Sequence, residues 1–374
     1  MDKTAFSFWE LSQWFSDVDH TVIGSGIVGL HAALRLRERF PEDKILVLER
    51  GLLPQGASTK NAGFACFGSL SEILDDLSTH TESEVLDLIA RRWQGLQKLR
   101  QNLGDAAIDF RPYGGYELFL EKDRPAYEHC LSRMAYVNDL LRPLFKSDVF
   151  SIDHNRFGFA GICEQLIFNR FEGQIDTGKM MQALLRKAVS ENIMVLNQAS
   201  VTEFHENGDH VSVSLGNLQF RTKNLLLATN GFSSNIIPEV KPARAQVFIT
   251  EPVADLPFKG SFHLDRGYYY FRNVGSRVLF GGGRNLDFQG ETTTTFGNTE
   301  IVQSRLDELL KTVILPGREI SVAHRWSGIM GMGTHKNPIV RQLSEHVYCG
   351  VRLGGMGVAI GSLVGTELAD LIQE

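Results

Sequence analysis

A glycine motif set between a strand and a helix constrains this chain most. Residues 20–29 read His-Thr-Val-Ile-Gly-Ser-Gly-Ile-Val-Gly, so Gly24, Gly26 and Gly29 form G-x-G-x-x-G directly after the short apolar strand Thr21–Ile23. From Ile27 to Arg39, Val28, Ala32 and Leu36 recur at helical spacing, with Arg35, Arg37, Glu38 and Arg39 toward a solvated end. The three glycines act differently. Gly24 permits the tight turn, Gly26 lets the backbone approach a pyrophosphate, and Gly29 lets helix and strand pack closely. The helix start, with Ser25, Ile27 and Val28, offers unpaired N–H groups and a positive dipole end to a diphosphate. A second strand, Ile45–Leu48, ends in Glu49 and Arg50. Glu49 stands at the spacing where a carboxylate meets an adenosine ribose. Strand, helix, second strand and acid together predict a dinucleotide site.

With 374 residues the chain has room for about two domains and a large core. A net charge of −6 argues against nucleic acid as partner. The 36 glycines gather at 24–29, 281–283, 328–333 and 350–365, which suggests backbone approaching a ligand. Cys66, Cys130, Cys163 and Cys349 form no C-x-x-C pair, so buried free thiols and a cytoplasmic setting are expected. No apolar run reaches the length of a membrane span. The first residues lack a basic stretch followed by an apolar one, so they do not read as a signal peptide. Phe6 to Phe15 reads as an aromatic amphipathic helix packed on the core.

Helical periodicity marks 82–103, 125–144, 179–192 and 359–372. Residues 110–120 read as two strands around Gly114-Gly115. Lys223–Leu227 is a continuous apolar strand of the kind buried in a parallel sheet, and it ends in Ala228-Thr-Asn-Gly231. That is the strand end where open α/β sheets hold ligands, so Ala228, Thr229, Asn230 and Gly231 are candidate contacts. Beyond Ala245 the chain turns mainly β; Tyr268–Arg272 and Val278–Gly281 form a hairpin around Asn273-Val-Gly-Ser. Without repeats or low-complexity linkers, the domains are expected to interleave.

These segments together resemble the FAD-dependent amine and amino-acid oxidoreductases of the D-amino-acid oxidase superfamily, in the branch of glycine oxidase, sarcosine oxidase and γ-glutamylputrescine oxidoreductase. The resemblance rests on Gly56-Ala-Ser-x-x-Asn-x-Gly, Ala228-Thr-Asn-Gly, Pro242-Ala-Arg-Ala-Gln-Val with Thr250-Glu-Pro, Trp326-Ser-Gly with Pro338, and Gly350-Val-Arg-Leu-Gly-Gly-Met-Gly-Val. It runs from about residue 20 to the end and is loosest between 70 and 170. It implies an α/β fold: a Rossmann-like FAD-binding domain (1–75, 152–240 and 325–374) with an interleaved α+β substrate domain (76–151 and 241–324) on a mixed, largely antiparallel sheet. It implies FAD rather than NAD, bound non-covalently, since no cysteine lies in 326–340 and no histidine follows the first glycine motif in an attachment pattern. The contacts it adds are Ala57, Ser58, Lys60, Asn61, Gly63, Phe64, Val201, Gly328, Gly354, Gly355, Met356 and Gly357.

The activity implied is oxidation of the C–N bond of a small amine or amino acid by hydride transfer to flavin, leaving an imine that water hydrolyses. Oxygen or an electron carrier takes the electrons, no metal is required, and there is room for an oligomer. On the substrate side the resemblance points to Arg352 as a carboxylate anchor and to Tyr268. Tyr270 shares the face of Tyr268 by period 2, and Arg284 enters from the same hairpin. Met330 stands where glycine oxidases carry a second carboxylate-binding arginine. His263, His324 and His335 read as structural. The rival readings are a dehydrogenase serving a quinone or carrier, a non-catalytic FAD-binding or tRNA-modification subunit, and an NAD(P)H enzyme. The last lacks its expected second G-x-G-x-x-G near mid-chain.

Overall fold

The computed structural model describes residues 6–373. Two eight-stranded sheets organise them. In the first, Val18–Ile23 runs parallel between Ile45–Leu48 and Leu218–Leu227. Met194–Leu196 extends it on one side and Val347–Val351 on the other, both parallel. An antiparallel strand, Ile339–Ser344, closes that edge, and the meander Glu203–Asn207, His210–Leu215 joins Leu218–Leu227. The central strands are apolar on both faces, and Val22, Leu46, Val47, Leu225 and Leu226 are fully buried. A parallel sheet covered on both faces requires that pattern. Helices Ile27–Arg39, Gly357–Asp370 and Glu82–Leu103 stack over it and share one core. Gly365 allows the contact: a Cβ there would sit 2.5 Å from the Val28 carbonyl oxygen.

The second sheet runs in the order Val322–Met332, Lys241–Thr250, Arg277–Gly282, Tyr269–Val274, Ser261–Leu264, Gly115–Leu118, Gln165–Asn169, Phe150–His154. Every pairing is antiparallel except Ser261–Leu264 with Gly115–Leu118. The sheet is therefore mixed and largely antiparallel, as expected. One face carries Phe248, Phe262, Phe271 and Phe280, all fully buried beneath helix Glu300–Leu309. The chain crosses between the sheets repeatedly. Gln165–Asn169 and Val322–Met332 pair in the second sheet, although the expected boundaries put 165–169 and residues from 325 on the cofactor side.

Two local expectations change, and one strand is added. Residues 110–120 hold one strand, Gly115–Leu118, because Arg111 bridges to Gln174 instead of pairing locally. Ser261–Leu264 is a strand that periodicity over so short a run does not reveal. Near the N-terminus Phe15 packs on Phe220, whereas Phe8 and Trp9 are 72% and 70% exposed. All four cysteines are free and buried. Among the described residues no helix is long and apolar enough to cross a membrane.

Candidate functional site

A cavity of about 830 Å³ runs between the two sheets, a size within the ~300–1,000 Å³ of cofactor and ligand sites. Its first part is built at the carboxyl end of the parallel sheet. Gly24 takes φ +103°, a conformation that favours glycine. A Cβ on Gly29 would stand 1.9 Å from the Gly24 carbonyl oxygen, so only glycine lets helix meet turn here. Ile27 N–H donates to Ser58 Oγ (3.0 Å), tying the helix start to the 57–60 turn. The Glu49 carboxylate ends its strand at the cavity edge, where the N–H groups of Ser25 (3.2 Å), Gly51 (3.0 Å) and Gln55 (3.3 Å) hold it. Val201, Ala228, Thr229 and the Arg50 guanidinium, which lies 3.8 Å from the Phe232 ring centre, continue this wall.

The 56–64 loop forms the middle of the cavity. Asn61 folds the loop on itself: Nδ2 donates to the carbonyls of Ala57 and Ser58, and Oδ1 accepts from Gly63 N–H and the Thr177 hydroxyl. Its polar atoms therefore serve the loop, although its side chain still lines the cavity. Trp326 Nε1 donates to the Lys60 carbonyl (3.0 Å), and buried Arg272 donates to the carbonyls of Ala62 and Ile175. Sequence reasoning does not find Arg272, since nothing local marks an arginine that bonds across 210 residues. Burial holds the Lys60 ammonium pKa below its ordinary value.

The far wall is the loop before the last helix. Gly354 and Gly355 have φ +60° and +82°. Among the described residues no backbone acceptor meets the N–H groups of Gly355, Gly357 and Val358, and all three line the cavity. Asn230 ties this loop to the central strand, its Oδ1 accepting from the N–H groups of Arg352 (3.0 Å) and Leu353 (3.4 Å). Of the three helix-start N–H groups expected to be free, those of Ser25 and Ile27 are taken by Glu49 and Ser58, and that of Val28 stays open among the described residues; with a ribose-spaced acid and free amides at the opposite end, the cavity fits a long dinucleotide such as FAD. Ser25, Gly29 and Gly231, expected as contacts, lie behind the wall. They shape it: a Gly231 Cβ would meet the Met330 carbonyl oxygen at 2.5 Å.

The second sheet adds to the wall from one row of facing residues, in which Val247, Tyr270 and His263 line the cavity. Cross-strand partners run Trp326, Val247, Gly281, Tyr270, His263, Glu117, and residues directly opposite share a face. Gly281 makes room for Tyr270, whose Cε2 would lie 2.8 Å from a Cβ there. Burial raises the Tyr270 phenol to about 12. Phe64 meets both Tyr270 and His263 edge-on, at 5.6 and 5.3 Å. Tyr268, Arg284, Arg266, Glu72, Met330 and Lys336 complete this end. Burial lowers the pKa of the Arg284 guanidinium. It packs over Phe288 (4.8 Å), and among the described residues it forms no ion pair.

Arg352 does not join them. It takes φ +64°, and its Nε donates to the Asn337 carbonyl (3.0 Å) while its Cδ packs against Gly333. Its side chain is absent from the cavity wall, which corrects the placement the resemblance implied. Arg352→Ala is therefore expected to leave carboxylate binding unchanged while costing about 1 kcal/mol of stability. Ligand titration and thermal melting check both halves. His263, expected to be structural, is instead a wall residue. Its Nε2 donates to Glu172 Oε2 (2.8 Å), and Cys66 Sγ gathers with both, the three groups' atoms lying within 4.8 Å of one another. The two-stranded ribbon of Phe64–Ala65 and Gly173–Gln174 places them together.

Comparison with known proteins agrees with this geometry. The chain is 22% identical to a probable oxidoreductase OrdL of Haemophilus influenzae, over 98% of this chain and 85% of that one. Its fold is similar to glycine oxidase from Geobacillus kaustophilus (TM-score 0.75, 15% identity, 95% of each chain). It is also similar to iminodiacetate oxidase from Chelativorans sp. BNC1 (TM-score 0.74, 16% identity, 94% of each chain). Residues 19–371 match the DAO family of FAD dependent oxidoreductases. The match spans the glycine motif, the 56–64 loop and the loop before the last helix, and the chain therefore belongs to this family of FAD-dependent enzymes.

Proposed function

We propose that the enzyme oxidises the C–N bond of a small amine or amino acid that carries a carboxylate, with FAD held non-covalently. One observation carries this reading: Arg284 brings a guanidinium into the part of the cavity beyond the cofactor segments and has no carboxylate partner in the described chain. A partly buried arginine without a counter-ion is unfavourable, and a substrate carboxylate accepting a forked pair of hydrogen bonds relieves it. Tyr268 and Tyr270 flank the same space and give a wall against which a small carbon skeleton is oriented.

Bound flavin supplies the two-electron oxidation. The protein supplies the rest. The Gly355, Gly357 and Val358 amides, at a helix start and without a backbone acceptor among the described residues, would hold negative charge on a reduced flavin bound against them. The Phe64, Tyr270 and Val247 side chains line the cavity and would exclude water from a substrate held there. Two structural neighbours, an oxidase of glycine and an oxidase of iminodiacetate, agree in kind.

Anaerobic bleaching of the yellow protein by a panel of amines and amino acids tests the reading. Amino acids are expected to bleach it and their decarboxylated analogues are not. Arg284→Met is expected to lower kcat/KM for carboxylated substrates by about 100-fold, the scale of one lost charge-assisted anchor. Equal bleaching by carboxylated and decarboxylated substrates, or an Arg284→Met enzyme as active as the parent, would overturn it.

A further inference from the structure

We infer that His263, oriented by Glu172, is a second carboxylate-recognising group in this cavity, so that the substrate is an amine bearing two carboxylates, one met by Arg284 and one by His263. The inference rests on the proposed function, because it takes Arg284 as the first anchor.

The pair is a built site. Glu172 is 1% exposed and His263 5%. Glu172 Oε2 accepts from His263 Nε2 at 2.8 Å, and Oε1 accepts from Asn169 Nδ2 at 3.3 Å, so the carboxylate is committed and the imidazole ring is aimed. His263 lines the cavity, and its Nδ1 has no hydrogen-bond partner among the described residues. Glu172 therefore leaves Nδ1 of this cavity-lining ring free, and Nδ1 is a donor when the ring is charged. An anionic oxygen in the cavity would accept from the Nδ1–H of the charged ring in a charge-assisted hydrogen bond.

The surroundings keep the ring charged. Burial alone would lower its pKa, but the Glu172 charge and hydrogen bond, with Glu72 and Glu117 beyond, outweigh burial and raise it to about 9. Each element packed around the ring contributes a group. Glu117 comes from the adjoining strand, Tyr270 from the strand opposite, Glu72 from helix Leu70–Leu77, and Cys66 from the loop after Phe64. Glu117 is pushed up to about 7 by burial, against hydrogen bonds from Ser71 and Ser69. Burial drives the Cys66 thiol well above its usual range and Tyr270 to about 12, so both stay neutral while His263 titrates.

Spacing favours two anchors over one. His263 and Gly281 flank Tyr270 in the same row, which puts them two strand spacings, about 10 Å, apart. Arg284 follows at the end of the Gly281 strand. A small secondary amine with a carboxylate on each arm, or an acidic amino acid, reaches from one anchor toward the other with its nitrogen over Tyr270.

The test uses FAD-loaded full-length protein and the shift in flavin absorbance on titration with butyrate and with succinate, acids of equal chain length. Succinate is expected to bind the parent protein at least about tenfold more tightly than butyrate near neutral pH. His263→Asn is expected to abolish that preference, and Glu172→Gln is expected to weaken it. A measurement on the unaltered protein guards against variants that fail to fold: the preference should fall toward unity between about pH 8 and 10 as the ring loses its proton. A preference unchanged in His263→Asn, or flat with pH, overturns the inference. Loss of butyrate binding in Arg284→Met reports separately on the proposed function: if that variant binds butyrate as the parent does, the first anchor is wrong. Failure of the parent to bind either acid overturns both.

Discussion

Gly29→Ala is expected to yield a protein that purifies colourless, or with a small fraction of its FAD, and that melts several degrees below the parent. Gly29 lies in the first turn of helix Ile27–Arg39, where an added Cβ would stand 1.9 Å from the Gly24 carbonyl oxygen and 3.2 Å from Val22 Cγ1. No rotamer relieves a clash with backbone. The helix cannot retreat either, because Gly361 and Gly365 of the last helix hold Ile27, Val28 and His31 from the other side. Overpacking of this kind costs about 1–3 kcal/mol. The displaced first turn carries the cavity-lining Val28 N–H, which would face a bound diphosphate, so cofactor affinity falls with stability. Gly26→Ala is milder, since its Cβ meets the Ser58 hydroxyl, the end of a small side chain that can rotate. Absorbance of the purified variants and thermal melting with and without added FAD decide the matter. A Gly29→Ala protein with full flavin content and an unchanged melting temperature would show the helix to be freer than its packing indicates.

The second large effect is on stability alone. Glu291→Ala is expected to destabilise the protein by about 3–5 kcal/mol, read as a lower urea midpoint. Glu291 is 1% exposed and grips Arg244 through both oxygens, at 2.8 and 2.9 Å. The same carboxylate accepts from Gln246 Nε2 (2.8 Å) and the Thr299 hydroxyl (3.2 Å). Deleting it strands a buried guanidinium in strand Lys241–Thr250, whose Ala245 and Val247 line the cavity. Replacing both partners by apolar residues, Arg244→Met with Glu291→Leu, removes the unpaired charge and should recover most of the loss. A Glu291→Ala protein within about 1 kcal/mol of the parent would mean that water reaches Arg244.

Much of the cofactor half is legible in the amino-acid sequence. The glycine spacing, the acid after the second strand and the apolar run Lys223–Leu227 each encode a local steric or periodic demand, and the parallel strands Val18–Ile23, Ile45–Leu48 and Leu218–Leu227 meet it. The 56–64 loop and the Gly354–Gly357 loop are legible by resemblance and line one cavity. The substrate half is less legible. Tyr270 and Arg284 follow from their hairpin, whose turn at Asn273–Ser276 fixes its register locally. The role of His263 does not, because its strand is four residues long and its facing partner, Glu117, belongs to a distant segment. Arg352 is misplaced by resemblance, because a left-handed backbone at an arginine turns the side chain away and no residue pattern announces it.

The sequence by itself determined a dinucleotide site and the sheet that holds it, with FAD implied by resemblance, since the site depends on which residues permit a turn, a close approach or a buried strand within a few tens of positions. Only the tertiary structure decided which charged groups line the end of the cavity walled by the second sheet. That choice follows from strand register and loop direction over long separations, as in the parallel pairing of Ser261–Leu264 with Gly115–Leu118 and the ribbon joining Phe64–Ala65 to Gly173–Gln174. A one-residue change of register would turn His263 from the cavity into the phenylalanine core, and no local preference distinguishes the two.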